Sequence, residues 1–259
     1  MLPRLHGGAV GTELARRGFP LRAPAWSAEA NLAAPDLVAA IHHDYAAAGA
    51  VLVTANTTCA HEHNVGAAMA EHCRVAIDLA RRAGVAVAAS LAMLPRSMSP
   101  DERSTAYRRA ADTMRAADVL LLEGVVDPEE LLRAVAATRS WPGSRWAALA
   151  GPGVAALPDA VAAAVGAGIA GLAVHCCTLQ QADSALAAAR SVAPQTPLAA
   201  YPSPECDDDE FARALVGMAS AHRLTWVGSC CGSTPLTTAA IGASLSLAKK
   251  TTQRGGPTT

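Results

Sequence analysis

A (β/α)8 TIM barrel is the fold that this 259-residue chain predicts, and three observations carry that expectation. Short apolar segments alternate with Ala-rich stretches of helical spacing, the strand-then-helix order of a parallel α/β protein. Eight such units fill a length of about 250 residues, the usual size of this barrel. The Gly-x-Gly-x-x-Gly signature that an open doubly wound sheet carries after its first strand is absent.

The predicted strands run in order through Leu5–Val10, Val51–Asn56, Val85–Leu91, Val119–Glu123, Trp146–Ala150, Gly171–Cys176, Pro197–Tyr201 and Trp226–Cys230. Crossover helices start at Ala34-Pro35-Asp36, Asp127-Pro128-Glu129-Glu130 and Leu157-Pro158-Asp159. There Pro presets φ and the acids favour the positive end of the helix dipole. Arg74–Arg82 forms another helix, ahead of the third strand. No linker, composition shift or internal repeat divides residues 1–248, which read as one domain. The polar stretch 249–259, with Gly255-Gly256-Pro257, reads as a disordered tail.

Composition narrows the function. With 51% hydrophobic residues the chain buries a core of domain size. Lys+Arg 21 against Asp+Glu 22 leaves a net charge of -1, which gives no general attraction to nucleic acid or an anionic membrane. Small-molecule partners are expected. The N-terminus lacks a signal-peptide core and no apolar run reaches the ~20 residues of a membrane span, so a cytoplasmic location is expected. In that reducing compartment the seven Cys are thiols.

Barrel chemistry sits where the strands end, because the βα loops converge there. Those ends are His6-Gly7-Gly8, Asn56-Thr57-Thr58-Cys59, Glu123, His175-Cys176-Cys177, Tyr201-Pro202-Ser203 and Cys230-Cys231-Gly232. Four cysteines thus gather on one rim from the sixth and eighth strands. Converging thiolates suit zinc, which in catalytic sites takes three protein ligands and leaves a fourth position open. Strand alternation places Leu172, Val174 and Cys176 on one face and His175 with Cys177 on the other, so only one of that Cys pair reaches a metal easily. Cys230 and Cys231 reach one together only if the chain leaves extended geometry, which Gly228 and Gly232 permit. Cys73, on a predicted helix, reads as core, and Cys206, in an acidic loop, as incidental. Spacing alone leaves a core or redox pairing of the rim cysteines open.

These segments resemble the homocysteine S-methyltransferase family over almost the whole chain. The likeness includes Gly7-Gly8-Ala9-Val10-Gly11-Thr12-Glu13-Leu14, Ala25-Trp26-Ser27, Pro35-Asp36-Leu37-Val38, His42 to Ala50, Thr54-Ala55-Asn56-Thr57-Thr58 and Leu122-Glu123. It is most specific in Val174-His175-Cys176 and in Gly228-Ser229-Cys230-Cys231-Gly232-Ser233-Thr234-Pro235, which are similar to the family's zinc segments. The resemblance implies a barrel whose Zn2+ is held by Cys176, Cys230 and Cys231, with a small-molecule acceptor thiol as fourth ligand. It also implies that Glu123 holds the acceptor's amino group, that His6, Gly7, Asn56 and Thr57 shape the acceptor site, and that Trp26 covers the methyl donor. Cys59, His175, Tyr201 and Ser203 join them as pocket residues. The physical logic is independent of the likeness. A free thiol with pKa ~8.5 is a few per cent ionised near neutral pH, whereas a coordinated thiol is deprotonated outright.

The chain departs from the family pattern where His6 replaces an Asp, His175 an Asn, Ser203 an Asn and Thr58 an aromatic. A protonated His6 would repel an α-ammonium and favour an acceptor carrying a carboxylate or phosphate. Cys59 is close enough in sequence to the second strand end to approach the metal. The implied activity is transfer of a methyl group from a sulfonium donor, S-methylmethionine or S-adenosylmethionine, to homocysteine, giving methionine. Two alternatives stand beside it: the same chemistry on a different small thiol, and a non-catalytic zinc- or thiol-binding barrel. The oligomeric state is open, a homo-oligomer included.

Overall fold

The computed structural model describes residues 2–150 and 158–254, and the side chains of all of these up to Lys250. Eight parallel strands form one sheet in the order β1-β8-β7-β6-β5-β4-β3-β2. They are β1 Arg4–Leu5, β2 Leu52–Ala55, β3 Ala86–Ala92, β4 Val119–Val125, β5 Ser144–Ala150, β6 Gly171–His175, β7 Leu198–Tyr201 and β8 Trp226–Val227. The barrel closes where β1 meets β2: His6 bridges Leu52, and the N–H of Gly7 donates to the Leu52 carbonyl at 2.9 Å.

Each predicted strand is present, but the first and last are shorter than the apolar runs that announced them. Val10 begins a helix, not the end of a strand. The reason lies at Gly8: a Cβ there would stand 2.5 Å from Ser233 Oγ and 2.7 Å from the Tyr45 ring, so the chain turns inward where no side chain fits. At the other end β8 stops at Val227, and Gly228 to Cys230 bond to the β7 strand and its exit loop through the Ala200 and Pro202 carbonyls.

The helices are α1 Val10–Arg16, α2 Ala30–Ala33, α3 Pro35–Ala47, α4 Glu62–Val65, α5 Met69–Arg81, α6 Pro100–Thr113, α7 Pro128–Ala137, α8 Pro158–Gly166, α9 Leu179–Val192, α10 Asp208–His222 and α11 Pro235–Arg254. Starts read from sequence hold at α3, α7 and α8, where Pro occupies the first helical position; Leu157 lies outside the described residues. Asp127 caps α7 through the Glu129 N–H, and Ser99 with Glu102 forms a capping box on α6. Helix α11 continues through 249–254, where an irregular tail was expected to begin, and 255–259 lie outside the described residues. Residues 249–254 contain neither Gly nor Pro, so nothing in their backbone chemistry stops the helix before Gly255. Among the described residues no helix is long and apolar enough to cross a membrane.

Two apolar layers hold the fold. The larger packs helices against the outer faces of the strands, with Tyr45, Tyr107, Phe211 and Leu14 fully buried. The smaller fills the barrel with Leu52, Ala88, Leu121, Trp146, Ala148, Ala173 and Ala199. Small Ala side chains from neighbouring strands leave room for the Trp146 indole, and a small apolar cavity of about 30 Å³ remains between Trp146, Leu121, Tyr201 and His6.

Candidate active site

Period-2 alternation builds the site directly above that inner layer. Two residues beyond Leu52, Ala88, Leu121, Ala173 and Ala199 stand Thr54, Ser90, Glu123, His175 and Tyr201, each therefore facing inward at the carboxyl end of its strand. His6 completes the ring from β1. An apolar floor thus carries a polar layer.

Hydrogen bonds knit this layer. Ser90 Oγ and Tyr201 Oη both donate to the Glu123 carboxylate, the second at 3.0 Å. The Ser90 N–H donates in turn to Thr57 Oγ1 at 2.8 Å. The Tyr201 phenol is pushed well above its ordinary pKa by burial and by the Glu123 charge, so it remains a donor. His6 Nε2 lies 2.7 Å from Thr54 Oγ1, and its ring meets that of Tyr201 edge-on at 5.2 Å. Burial pushes His6 down to about 4 against the pull of Glu123, so the imidazole is neutral near pH 7. The cationic His6 considered from sequence is not what this environment holds.

The thiols meet on the same rim. Cys176 Sγ is 2.7 Å from Cys230 Sγ and 3.7 Å from Cys231 Sγ, and the last two are 3.9 Å apart. Strict alternation would have sent Cys176 to the helix side with Leu172 and Val174. Instead β6 ends at His175 and Cys176 adopts a left-handed φ of 48°, which turns its sulfur to the rim, while Cys177 goes into the core. Gly232, at φ 84°, and the bond from Ser233 N–H to the Cys230 carbonyl make the turn that lets neighbouring Cys230 and Cys231 both face Cys176.

A tetrahedral centre with Zn–S near 2.3 Å sets its sulfurs roughly 3.8 Å apart. Two of the three separations match; the Cys176 to Cys230 pair must open to hold an ion. The donor set fits a soft divalent cation. Hydrogen bonds from Cys176 and Cys230 hold Cys231 low, at about 3. Cys176 gains from its bond with Cys230, but the proton it shares toward Cys231, together with burial, pushes it up to about 12. Cys230 is raised by its bonds to both neighbours and by burial.

His175 sits against this group, its ligand atom within 4.8 Å of Cys176 and Cys230. Its Nε2 accepts the Gly124 N–H at 3.0 Å and its ring lies 5.3 Å from that of Tyr201. Other expected residues stand elsewhere. Asn56 is buried and ties the strand end to the preceding segment, donating to the Ser27 carbonyl at 2.7 Å and to Asn31 Oδ1 at 2.9 Å. Gly7 packs its bare Cα against Tyr45 and Val53. Ser203 is joined to the Cys177 carbonyl through its N–H at 3.0 Å. Cys59 packs against the outer core, where burial raises its thiol pKa. The side chain of Cys59 follows the apolar environment its loop folds into. Trp26 is 50% exposed at the start of a 3-10 turn, outside the hydrogen-bonded layer.

Sequence reading missed Thr54, Ser90 and Gly124. The signal was present for the first two: each is a polar residue within an apolar run, in phase with the inward face. Only the fold brings the Gly124 N–H to His175.

Fold and site together define a (β/α)8 enzyme barrel whose carboxyl rim gathers three thiols beside a hydrogen-bonded carboxylate. Residues 5–245 match the model of the homocysteine S-methyltransferase family. The chain belongs to that family and is a methyltransferase. Among solved structures it is similar to the homocysteine methyltransferase MmuM from Escherichia coli. The oxidised form aligns with a TM-score of 0.84 at 23% identity, covering 93% of this chain and 95% of that one. The metallated form aligns with a TM-score of 0.83 at 22% identity, covering 94% and 96%. A more distant likeness, TM-score 0.57 at 13% identity, is to the catalytic domain of a chitinase from Pyrococcus furiosus, over 96% of this chain and 97% of that one. At these identities the structural matches establish the fold. No curated protein matches by sequence.

Proposed function

We propose that this chain is a zinc-dependent thiol methyltransferase that moves a methyl group from a sulfonium donor, S-methylmethionine or S-adenosylmethionine, to the sulfur of homocysteine, giving methionine. The observation that carries the reading is the meeting of Cys176, Cys230 and Cys231 on the rim that also bears Glu123. Zinc held by these three sulfurs supplies a positive centre that keeps an acceptor thiol ionised near neutral pH.

The chain's own groups do the rest. Glu123 receives the acceptor's ammonium in a charge-assisted hydrogen bond, and its carboxylate is held for that purpose by Ser90 and Tyr201. Tyr201, kept protonated, never competes as a second anion. The apolar layer beneath lowers the local polarity, which strengthens each of these contacts. A sulfur lone pair of the acceptor forms the new C–S bond as the donor's C–S bond breaks, and the donor leaves as a neutral thioether. With zinc held by the three sulfurs, the acceptor would bind as its thiolate with its proton released to solvent, so the transfer itself would need no general base.

A second reading keeps this chemistry and changes the acceptor. Its observation is His6: the position at which the family likeness places a carboxylate holds a neutral, buried ring, so Glu123 is the one carboxylate in the described polar layer. An acceptor without an α-ammonium needs no second acid.

Mass spectrometry of reduced, zinc-loaded protein given S-methylmethionine with homocysteine, or with thiols lacking the α-amino group, separates the readings. Methionine is the expected product. Methylation of the other thiols alone would transfer the assignment to the second reading. Zinc bound with no methyl transfer to either would leave a thiol-binding barrel and overturn both.

A further inference from the structure

We infer that His175 is a positioning residue that holds the irregular stretch of β4 presenting Glu123. The effect on catalysis rests on the acceptor role proposed for Glu123; the structural part does not.

The argument begins in β4. Its register against β5 shifts between Glu123 and Val125, and the residue between them, Gly124, has φ 76°. In that left-handed conformation the Gly124 N–H leaves the strand ladder and turns toward the barrel. An inward N–H with no acceptor costs about 1–3 kcal/mol when sheltered from water. His175 Nε2 supplies the acceptor at 3.0 Å.

The two residues are on strands that do not touch. β5 lies between them, with Ala150 paired to His175 and Ala148 paired to Glu123. At this level β5 presents only Ala, so the imidazole crosses over it without obstruction. Tyr201 backs the ring at 5.3 Å and places its own hydroxyl on Glu123. The carboxylate is therefore fixed from both sides, through its side chain by Ser90 and Tyr201 and through its backbone by His175.

The test uses full-length zinc-loaded protein carrying His175→Ala, and His175→Gln as the variant whose side-chain carbonyl restores an acceptor. Amide hydrogen exchange at Gly124 should accelerate about tenfold or more in His175→Ala and return toward wild type in His175→Gln. Zinc stoichiometry should be unchanged in both. The homocysteine KM should rise about tenfold in His175→Ala while kcat changes less than about threefold, and His175→Ala added to Glu123→Gln should raise KM no further than Glu123→Gln alone. Loss of zinc from either variant, or unaltered Gly124 exchange in His175→Ala, would overturn the inference. If the wild-type protein methylates no thiol, the proposed function fails alone, and exchange and zinc content still decide the role of His175.

Discussion

Cys230 is the sulfur nearest to Cys176 and follows the β8 exit that brings Cys231 alongside. In the proposed zinc centre, removing it would leave two of the three sulfurs. Cys230→Ala is therefore expected to lose zinc and methyl transfer together, read by metal analysis and product formation on the same sample; full activity in zinc-free protein would sink the assignment. His6 poses a question of charge. Its neutral ring lies beside Tyr201, at the edge of the layer that holds Glu123. Replacing it with Asp restores a second carboxylate, so His6→Asp should lower the homocysteine KM by roughly tenfold, about 1.4 kcal/mol of added ground-state attraction. An unchanged preference between homocysteine and thiols lacking the amino group would remove the reason for the second reading.

At the scale of elements, strands carry the chemistry and helix pairs hold the strands in register. The contact between α6 and α7 contains a buried ion pair: Arg103 on α6 meets Glu130 on α7 at 2.9 Å, and both side chains are nearly inaccessible. Tyr107 Oη donates to the same carboxylate at 2.6 Å while accepting the Leu94 N–H at 2.8 Å, which ties the β3 exit loop into the network. Truncating the shared acceptor strands a buried cation and a buried hydroxyl at once. Glu130→Ala should accordingly lose about 3–5 kcal/mol in urea unfolding, with the larger effect on stability and not on zinc content. A loss within about 0.5 kcal/mol would show that the pair is solvated.

The whole molecule stores an acid sensitivity in three histidines on different elements. Burial pushes His6, His42 and His61 each down to about 4 from an unfolded value of 6.5. Between those values the unfolded chain binds more protons than the fold. Stability therefore rises with pH across that window and is lost as pH falls from about 6.5 toward 4. His42 is the cleanest case, fully buried on α3 with neither ring nitrogen in a hydrogen bond. Unfolding curves at pH 7, 5.5 and 4.5 should show the decline, and His42→Leu should reduce its slope by about a third while leaving neutral-pH stability equal or higher. An identical pH slope in that variant would contradict the burial argument.

Much of this was legible in the residues. The alternation of apolar segments with Ala-rich helices determined the parallel barrel, because period and length leave few other ways to bury both faces of eight strands. The Cys at the ends of the sixth and eighth strands, and Glu123 at the fourth, were legible as residues of the carboxyl rim, where the structure brings the three thiols together. What the sequence could not hold was conformation at single residues. Alternation alone would have put Cys176 on the helix side with Leu172 and Val174, since nothing local announces the left-handed turn that brings its sulfur to Cys230 and Cys231. The charge of His6 was undecided until burial among Thr54 and Tyr201 made it neutral. Strand order in the chain is a local property, whereas the bond from Gly124 to His175 spans an intervening strand and depends on the small Ala side chains of β5. Local propensity and spacing determined the fold and its catalytic rim; tertiary packing alone decided which way each sulfur, ring and carboxylate on that rim points.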